Sequence, residues 1–522
     1  MKFKFKKLAV ASAMAVAALS GQAMAAAPGI ATTPDIDVYL TGASAPQNIL
    51  GALAETLFGA NPVGTFNNYH VFYDNGATIG ASYRTYYGAL QSPITVNSPT
   101  VGSVTLAAGT KVRLINRAKG GSVWGVDPVA RTQNIAWMNP SSGNCTLQTN
   151  TSLAYQYLCA ESGSDTNPAD VNNRVSDFGV SDVEPPMFKG PLNVEGNAGP
   201  LSPAELATLT PSGVSGLLFG IPATTSVPAG INFTRGLYSS LLSGITQDWT
   251  AVDSAVTGKT QVVICRRVQG SGTQTTYNAY FNNFPCTSSS FVPGVAAPFR
   301  MTDSAGYTET ASTITVNPDA VGITVIENPS SGNVRSCLEK AQTGGAHTFN
   351  YLTDLGVTKA VTVNFAAGGG YRAVGVLSLD STPTANWGFR NLNGQAPTKT
   401  NLRNGNYDFF GELSMQYNNT GHNNYYPIAG LNDTTNWVVT AVNSGSATHV
   451  KNKRAFIEEF TRRAGDPAIL NTITSVPLKN ATAALPIAYV PDESTANGLN
   501  TMYVTHQGNA CSPVVRYPYP GL

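Results

Sequence analysis

The chain has 522 residues, and only 12% of them are charged, about half the usual share in globular proteins. Four of its 31 basic residues are lysines within positions 2–7, and without those four the 30 acidic residues leave a net charge of −3. This balance excludes a general nucleic-acid binder or membrane-surface binder, because both need an excess of basic residues.

The first 25 residues are typical of a secretory signal peptide. The lysines precede an apolar run at 8–19, and Ala23-Met24-Ala25 supplies a small-residue cleavage site. Cleavage after Ala25 would place the protein in the periplasm or outside the cell. No later run approaches the roughly 20 apolar residues of a membrane span, so we expect no membrane insertion.

A strand–turn–helix corner follows the leader. The strand DVYL at 37–40 is followed by GASAP at 42–46 and then by apolar residues with helical spacing at 49–57. Ser44 suits the N-cap position and Pro46 the first helical turn. An N-cap serine without any ligand explains this corner equally well.

The next part of the chain is rich in predicted strands. VFY at 71–73 predicts a strand that leads into a small-residue turn at 76–82, and residues from about 85 to 175 read as short strands and turns. We interpret this stretch as a β-rich insertion rather than a separate domain. SDFGVSD at 176–182 then passes into two prolines, and the Pro/Gly-rich residues 190–211 indicate a crossing between lobes.

The most informative corner spans residues 261–284. A β-branched strand at 262–264 leads through Arg266 and Arg267 into GSGT at 270–273, followed by aromatic residues spaced on one helical face. The free N–H groups and positive dipole of a helix start bind anions, and hydroxyls and a forked cation would add donors. The alternative is a plain turn whose glycines only satisfy φ.

The remaining pattern alternates strands and helices. Strands are predicted at 213–221, 373–377 and 408–416, and helices at 234–245, after the turn at 330–333, and at 456–464. Three glycines at 368–370 are not a phosphate-cradling loop, because no Gly-Lys-Ser/Thr follows them. The alternation predicts an α/β fold, and the length predicts two lobes.

Six cysteines lie after the leader, and an even number in an exported chain predicts disulfides. Proximity along the chain favours Cys145–Cys159 and Cys265–Cys286, which leaves Cys337–Cys511. No C-x-x-C motif or Cys/His cluster is present, so neither a metal nor another cofactor is expected.

Three of these motifs together resemble those of type II periplasmic binding proteins. The likeness is to the phosphate-binding protein of the bacterial phosphate importer and its secreted DING-type relatives. GASAP at 42–46 stands where that family has Gly-Ala-Thr-Phe-Pro, DFGVSD at 177–182 stands for Asp-Phe-Gly-Ala-Ser-Asp, and RVQGSGT at 267–273 stands for Arg-x-Asp-Gly-Ser-Gly-Thr.

The resemblance implies an α/β two-lobed clamshell, of the periplasmic-binding-protein type II kind, with a β-rich insertion. We expect lobe one to comprise residues 26–200, with the insertion at about 85–175, and to resume at 401–522. Lobe two is expected at 201–400.

The resemblance also implies a set of ligand contacts, namely Ser44, Ala45, Thr78, Asp182, Arg267, Ser271, Gly272 and Thr273. Asp182 would accept the proton of a hydrogen phosphate and repel fully ionised sulfate. Thr78 is the better candidate, and Ser82 the weaker, for the serine of the family's Gly-Ser-Ser-Gly-Gly turn. The chain departs from the family pattern at Ala45, where the family has Phe, and at Gln269, where it has an acid.

The function implied is an exported solute-binding protein that holds phosphate or a similar tetrahedral oxyanion without catalysis, with an ABC importer permease as partner. The alternative is an exported or cell-surface interaction or structural protein that kept the clamshell and lost the ligand. An enzyme has little support, because Ser271 is not in a G-x-S-x-G elbow. The five histidines are scattered without metal spacing: His70, His347, His422, His449 and His506.

Overall fold

A computed structural model describes most of the chain after the leader. The described residues are 34–58, 69–74, 82–140, 143–148, 155–165, 167, 169–190, 193–194, 199–286, 306–318, 322–353, 357–403, 405–419, 447–466, 469–470, 489–491 and 504–516. The predicted signal peptide and Thr78 lie outside these residues.

The described helices are numbered in chain order. They are α1 Gln47–Phe58, α2 Asp127–Ala130, α3 Pro203–Leu206, α4 Arg235–Leu242, α5 Gly272–Asn282, α6 Ser331–Thr343, α7 Lys399–Arg403 and α8 Ala447–Gly465. Short 3-10 helices occupy Ser122–Gly125, Pro185–Met187 and Trp249–Ala251.

The described strands are numbered in the same way. They are β1 Ile36–Gly42, β2 Tyr69–Tyr73, β3 Tyr83–Ala89, β4 Ile94–Ser98, β5 Gly102–Leu106, β6 Lys111–Arg117, β7 Asn134–Ile135, β8 Trp137–Met138, β9 Cys145–Leu147, β10 Tyr155–Cys159, β11 Glu161–Ser162, β12 Arg174–Val175, β13 Phe178–Ser181, β14 Leu209–Thr224, β15 Val262–Arg267, β16 Tyr307–Glu309, β17 Thr313–Val316, β18 Ile323–Asn328, β19 Gly345–Leu352, β20 Thr358–Phe365, β21 Ala373–Gly375, β22 Leu377–Ser378, β23 Trp387–Arg390, β24 Phe410–Asn418, β25 Tyr489–Pro491, β26 Val504–Thr505 and β27 Val515–Arg516.

The main sheet has two parts, which we call lobe one and lobe two. Its order is β18-β15-β21-β14-β24-β13-β1-β6-β3-β2-β10-β9. Lobe one contains the strands from β13 to β9, and lobe two contains β18, β15 and β21 with β22 and β23. The long strand β14 joins them, because its first half pairs with β24 and its second half pairs with β22, β23 and β21. The predicted mixed α/β class is confirmed.

Apolar residues at the predicted positions form the core of both lobes. Every residue of β1 and of β15 is buried, as expected for parallel strands covered on both faces. On α1, Ile49, Leu50 and Leu53 face the sheet and are at most 3% exposed. One continuous hydrophobic core joins these residues to Leu217 and Ile264, so packing continues from one lobe to the other.

The β-rich stretch predicted at about 85–175 is present, and part of it is built into the main sheet. β6 pairs with β1 in parallel, and β3 pairs with β6 antiparallel. The hairpin β4–β5 forms a separate two-stranded sheet, as do the pairs β11–β8 and β12–β7. The segment therefore supplies small separate sheets and also a central strand of lobe one, β6.

Three disulfides connect the six cysteines, and two of the three expected pairings, Cys265–Cys286 and Cys337–Cys511, are wrong. Cys145–Cys159 forms as expected, with Cα atoms 4.1 Å apart. The other bonds are Cys265–Cys337 and Cys286–Cys511, which span 72 and 225 residues. Parallel pairing of β15 with β18 lets α6 pack back against β15, so Cys337 meets Cys265 although Cys286 is nearer in sequence.

The helix of the key corner is shorter than its aromatic spacing predicted. α5 ends at Asn282, and Asn283 adopts a left-handed backbone with φ 56° that caps it. Phe284 is buried but lies beyond the helix. In the described part of the chain, no helix is both long and apolar enough to cross a membrane.

Candidate functional site

Two motifs of lobe one meet at the carboxyl ends of adjacent parallel strands. β1 pairs with β13 so that Gly42 lies opposite Val180, and the amide of Ala43 donates to the carbonyl of Val180 over 2.9 Å. Ser44 and Asp182 each follow these paired positions by two residues. Ligands of open α/β sheets bind at this kind of edge.

The two aspartates of the DFGVSD motif have different surroundings. Asp177 accepts from the backbone N–H of Tyr39 at 2.8 Å and from Lys453 of α8 at 3.1 Å, so it ties the sheet to that helix. Asp182 lies beyond the end of β13, is 2% exposed, and faces lobe two.

Lobe two presents a matching edge. β15 and β18 are parallel, with Arg267 opposite Asn328, and each strand is followed by the start of a helix, α5 or α6. Ser271 caps α5 by accepting from the N–H of Gln274, and Ser330 caps α6 by accepting from the N–H of Asn333. The hydroxyl of Ser330 also donates to Asn333 Oδ1, whereas Ser271 only accepts among the described residues, which leaves its hydroxyl proton available for another partner.

The two edges are in direct contact. The hydroxyl of Thr273 donates to Asp182 Oδ2 over 2.9 Å, and the N–H of Val123 donates to the carbonyl of Gly270 over 2.9 Å. At Gly272, a Cβ atom would lie 2.8 Å from the Cβ of Asp182 and 2.4 Å from Ser122 Oγ. Asp182, Gly272 and Thr273, which the sequence predicted as site residues, are therefore brought together.

The guanidinium of Arg267 is buried at the same place. Its Nη1 donates to Ser331 Oγ at 3.0 Å and its Nη2 donates to the carbonyl of Pro329 at 3.1 Å. A Cβ at Gly121 would lie 3.8 Å from Nη2. The preceding residue, Arg266, points to the other face of β15, where Glu327 neutralises it over 2.6 Å. Strand alternation thus decides which of the two arginines reaches the site.

Charge and burial oppose each other at Asp182. Burial raises the pKa of this carboxyl group to about 6, while the hydrogen bond from Thr273 and the positive charge of Arg267 lower it. The negative charge of Asp380, on the segment after β22, raises it further. Oδ1 of Asp182 has no hydrogen-bond partner among the described residues, so it is a buried acceptor facing the junction between the lobes.

Sequence reasoning missed Ser122, which lies at the centre of the site. Its hydroxyl accepts from the N–H of Asp182 at 3.4 Å, and the residue is 1% exposed. Ser82, the weaker candidate donor of lobe one, instead lies directly before β3, where Asp74 accepts from its N–H at 3.1 Å. The missed signal was a further strand–glycine–serine corner, because Gly120, Gly121 and Ser122 follow the end of β6 after two intervening residues.

Ser44 and Ala45 lie at the start of α1. Ser44 is half-buried and its carbonyl accepts from the N–H of Gln47 at 3.3 Å, while Ala45 is 3% exposed. Three helix starts, those of α1, α5 and α6, thus point toward the edges that Asp182 and Arg267 occupy. In the described part of the chain, no group of three or more His, Cys, Asp or Glu side chains could hold a metal ion.

Substituting Gly272 by alanine should destabilise the protein, although alanine favours helices by about 1 kcal/mol over glycine. The added methyl group would collide with Ser122 and Asp182, so the lobes could not meet as they do. Thermal unfolding should show a lower Tm. Gly332→Ala is the matched control in the first turn of α6, where the nearest atom to a Cβ is 3.4 Å away. An equal response in both variants would contradict the tight contact.

No protein-family model matches the chain, and no curated protein matches it. Among solved structures, it is similar to a phosphate ABC transporter substrate-binding protein from Clostridium perfringens with bound phosphate, at 11% identity and TM-score 0.33, over 73% of this chain and 86% of that one. A periplasmic phosphate-binding protein, PfluDING, matches at 13% identity and TM-score 0.32, over 73% and 80%.

An ABC-type phosphate transport receptor from Vibrio cholerae is similar at 13% identity and TM-score 0.25, over 47% of this chain and 68% of that chain. All three likenesses are distant. The function proposed for this chain therefore rests on the geometry of the site.

Proposed function

We propose that this chain is an exported solute-binding protein that holds phosphate or a similar tetrahedral oxyanion between its lobes, without catalysis. One observation carries the proposal. Arg267 and the start of α5 in lobe two lie against Asp182 and Ser122 in lobe one. These residues are far apart in sequence, and each is at most 2% exposed. A buried guanidinium beside hydroxyls and helix starts suits an oxyanion.

Each group has a distinct part in the proposed complex. Arg267 pairs with the negative oxygens, and Ser271, Gly272 and Thr273 supply hydroxyl and N–H donors from lobe two. Ser44, Ala45 and Ser122 supply donors from lobe one. Asp182 accepts the proton of a hydrogen phosphate, and it disfavours sulfate, which has no proton to donate. Donors from both lobes make the ligand favour the closed arrangement. Thr78 stays a prediction.

Three histidines whose side chains the structure describes have partners outside the residues of the proposed site. His347 is buried between Asn328 and Ser336, and burial lowers its pKa to about 4. His506 contacts the carbonyl of Ser512 in the C-terminal segment. His70 stacks among aromatic side chains of lobe one.

Export, lobe boundaries and partner belong to the same proposal. Cleavage after Ala25 would release the chain into the periplasm or beyond the cell, and three disulfides suit an oxidising compartment. We place the lobe boundaries near residues 200 and 400. An importer permease would be the partner in uptake.

Phosphate titration tests the proposal. At 100 times its dissociation constant, a ligand that binds only the folded state stabilises it by about 2.7 kcal/mol, which thermal unfolding detects readily. We expect a rise in Tm with phosphate and little or none with sulfate. No rise with any oxyanion would contradict the proposal and favour the alternative, an exported interaction or structural protein that kept the clamshell without its ligand.

A further inference from the structure

A second group of polar side chains lies between helix α1 and the sheet of lobe one. This space is otherwise apolar, filled by residues such as Leu50, Leu53 and Leu114. The polar exceptions come from α1 and from two adjacent strands. They are Gln47, Asn48 and Glu55 on α1, Arg84 and Tyr86 on β3, and Asn116 on β6.

Asn116 is the least satisfied member of this group. It lies opposite Leu40 of β1 on one side and opposite Arg84 of β3 on the other, so its side chain shares their face of the sheet. Arg84 donates to Asn48 Oδ1 at 3.2 Å, which links this face to α1. Asn116 is 1% exposed, yet neither Oδ1 nor Nδ2 has a hydrogen-bond partner among the described residues.

Two neighbouring groups are also incompletely satisfied. Nε2 of Gln47 is buried without a hydrogen-bond partner in the described part of the chain, and the buried hydroxyl of Tyr86 interacts with Arg84, which can only donate, so the hydroxyl proton still needs an acceptor. Buried polar groups are satisfied in the great majority of cases. Amide and hydroxyl groups clustered in this way therefore indicate a polar occupant that can both donate and accept hydrogen bonds.

The polar group adjoins the proposed oxyanion site. Gln47 is the first residue of α1 and follows Ser44 by three residues, and Asn116 is the second-last residue of β6, at the same carboxyl edge as Ser44. Ala45, between Ser44 and the helix, adds only a methyl group. Burial raises the pKa of Glu55, which lies near Arg84, to about 8, so near neutral pH its carboxyl group is largely protonated and adds another uncharged hydrogen-bonding group.

We propose, relying on the proposed oxyanion site, that the ligand is a phosphate monoester of a small hydroxylated compound. Its phosphate group occupies the site between the lobes, and its hydroxyl groups bind Asn116, Gln47 and Tyr86 beneath α1. Neutral amides and a phenol match hydroxyls, which donate and accept in the same way.

Calorimetric titration with inorganic phosphate, glycerol 3-phosphate and glucose 6-phosphate tests this proposal. We expect at least one ester to bind about tenfold or more tightly than inorganic phosphate, as one or two additional buried hydrogen bonds imply. Asn116→Leu, similar in volume, should remove this advantage and leave the affinity for inorganic phosphate unchanged. Gln47→Met provides a second variant with the same expectation, should Asn116→Leu fail to fold.

Thr41→Val is the matched control. Thr41 is also fully buried and its hydroxyl also has no partner among the described residues, but it lies opposite Arg117 and so on the other face of the sheet. This variant should not alter the affinity for any of the three ligands.

The outcomes separate the two proposals. Binding of inorganic phosphate with no tighter binding of either ester would overturn the ester proposal and leave the oxyanion site standing. The ester proposal is likewise overturned if Asn116→Leu raises Tm and changes no affinity, because the polar group would then hold water only. Failure of all three ligands to bind would overturn both proposals.

Discussion

Replacing Arg267 with alanine should abolish the stabilisation of the protein by phosphate. The guanidinium is the only cation that the described contacts place beside Asp182, Ser271 and Gly121, and it is 2% exposed. A hydrogen bond to a charged group contributes about 1.5–3 kcal/mol, and in a buried site the loss of the charge adds to this. We expect affinity to fall by roughly 100-fold or more.

The measurement is the shift in Tm on adding phosphate, together with calorimetric titration. Arg267→Lys should retain part of the affinity, because it keeps the charge but loses the two-pronged donor geometry. Arg235→Ala is the control in the same lobe, where the guanidinium covers the ring of Tyr280 at 4.8 Å, away from the junction. Unchanged phosphate binding in a folded Arg267→Ala protein would refute the proposed site.

Replacing Asp182 with asparagine should shift the selectivity of the site from phosphate toward sulfate. The carboxylate accepts a proton only from a protonated oxyanion, whereas the amide of asparagine can also donate to one that is fully ionised. We expect phosphate affinity to fall and sulfate affinity to rise, each by roughly tenfold, since one charge-assisted hydrogen bond is involved. Calorimetry with both anions measures the ratio.

The same variant should alter how stability depends on pH. The pKa of Asp182 is raised to about 6 in the folded protein, above its ordinary value of 3.8. The folded state therefore binds more protons between these values, and this group makes the protein less stable as pH rises through them. Asp182→Asn should gain stability relative to the parent between pH 4 and pH 7. A constant difference in Tm across this range would contradict the assignment.

Local patterns in the sequence predicted the corners of the site but not their neighbours. The residues of RVQGSGT at 267–273 indicate a strand end, a glycine turn and a capped helix, and all three form there. Local spacing also favoured a disulfide between Cys265 and Cys286, which is wrong. The correct partner, Cys337, depends on how α6 packs against β15, a contact between segments 72 residues apart.

The position of Ser122 in the site also could not be predicted from local sequence. Its Gly-Gly-Ser turn follows a strand that looked like part of an insertion, and nothing local shows that this strand, β6, pairs directly with β1. Once that parallel pairing forms, the loop after β6 must emerge at the edge where Ser44 and Asp182 lie.

The amino-acid sequence by itself determined which segments become strands, which helices start with free N–H groups, and which residues can carry charge or donate hydrogen bonds. These properties depend on neighbours within a few residues, through side-chain periodicity, capping and backbone freedom. Only the tertiary structure decided that Arg267 rather than Arg266 faces the junction, that Ser122 joins Asp182, and which cysteines meet. Those outcomes depend on strand order and register, which arise from packing the whole sheet and have no signature in any single stretch of the chain.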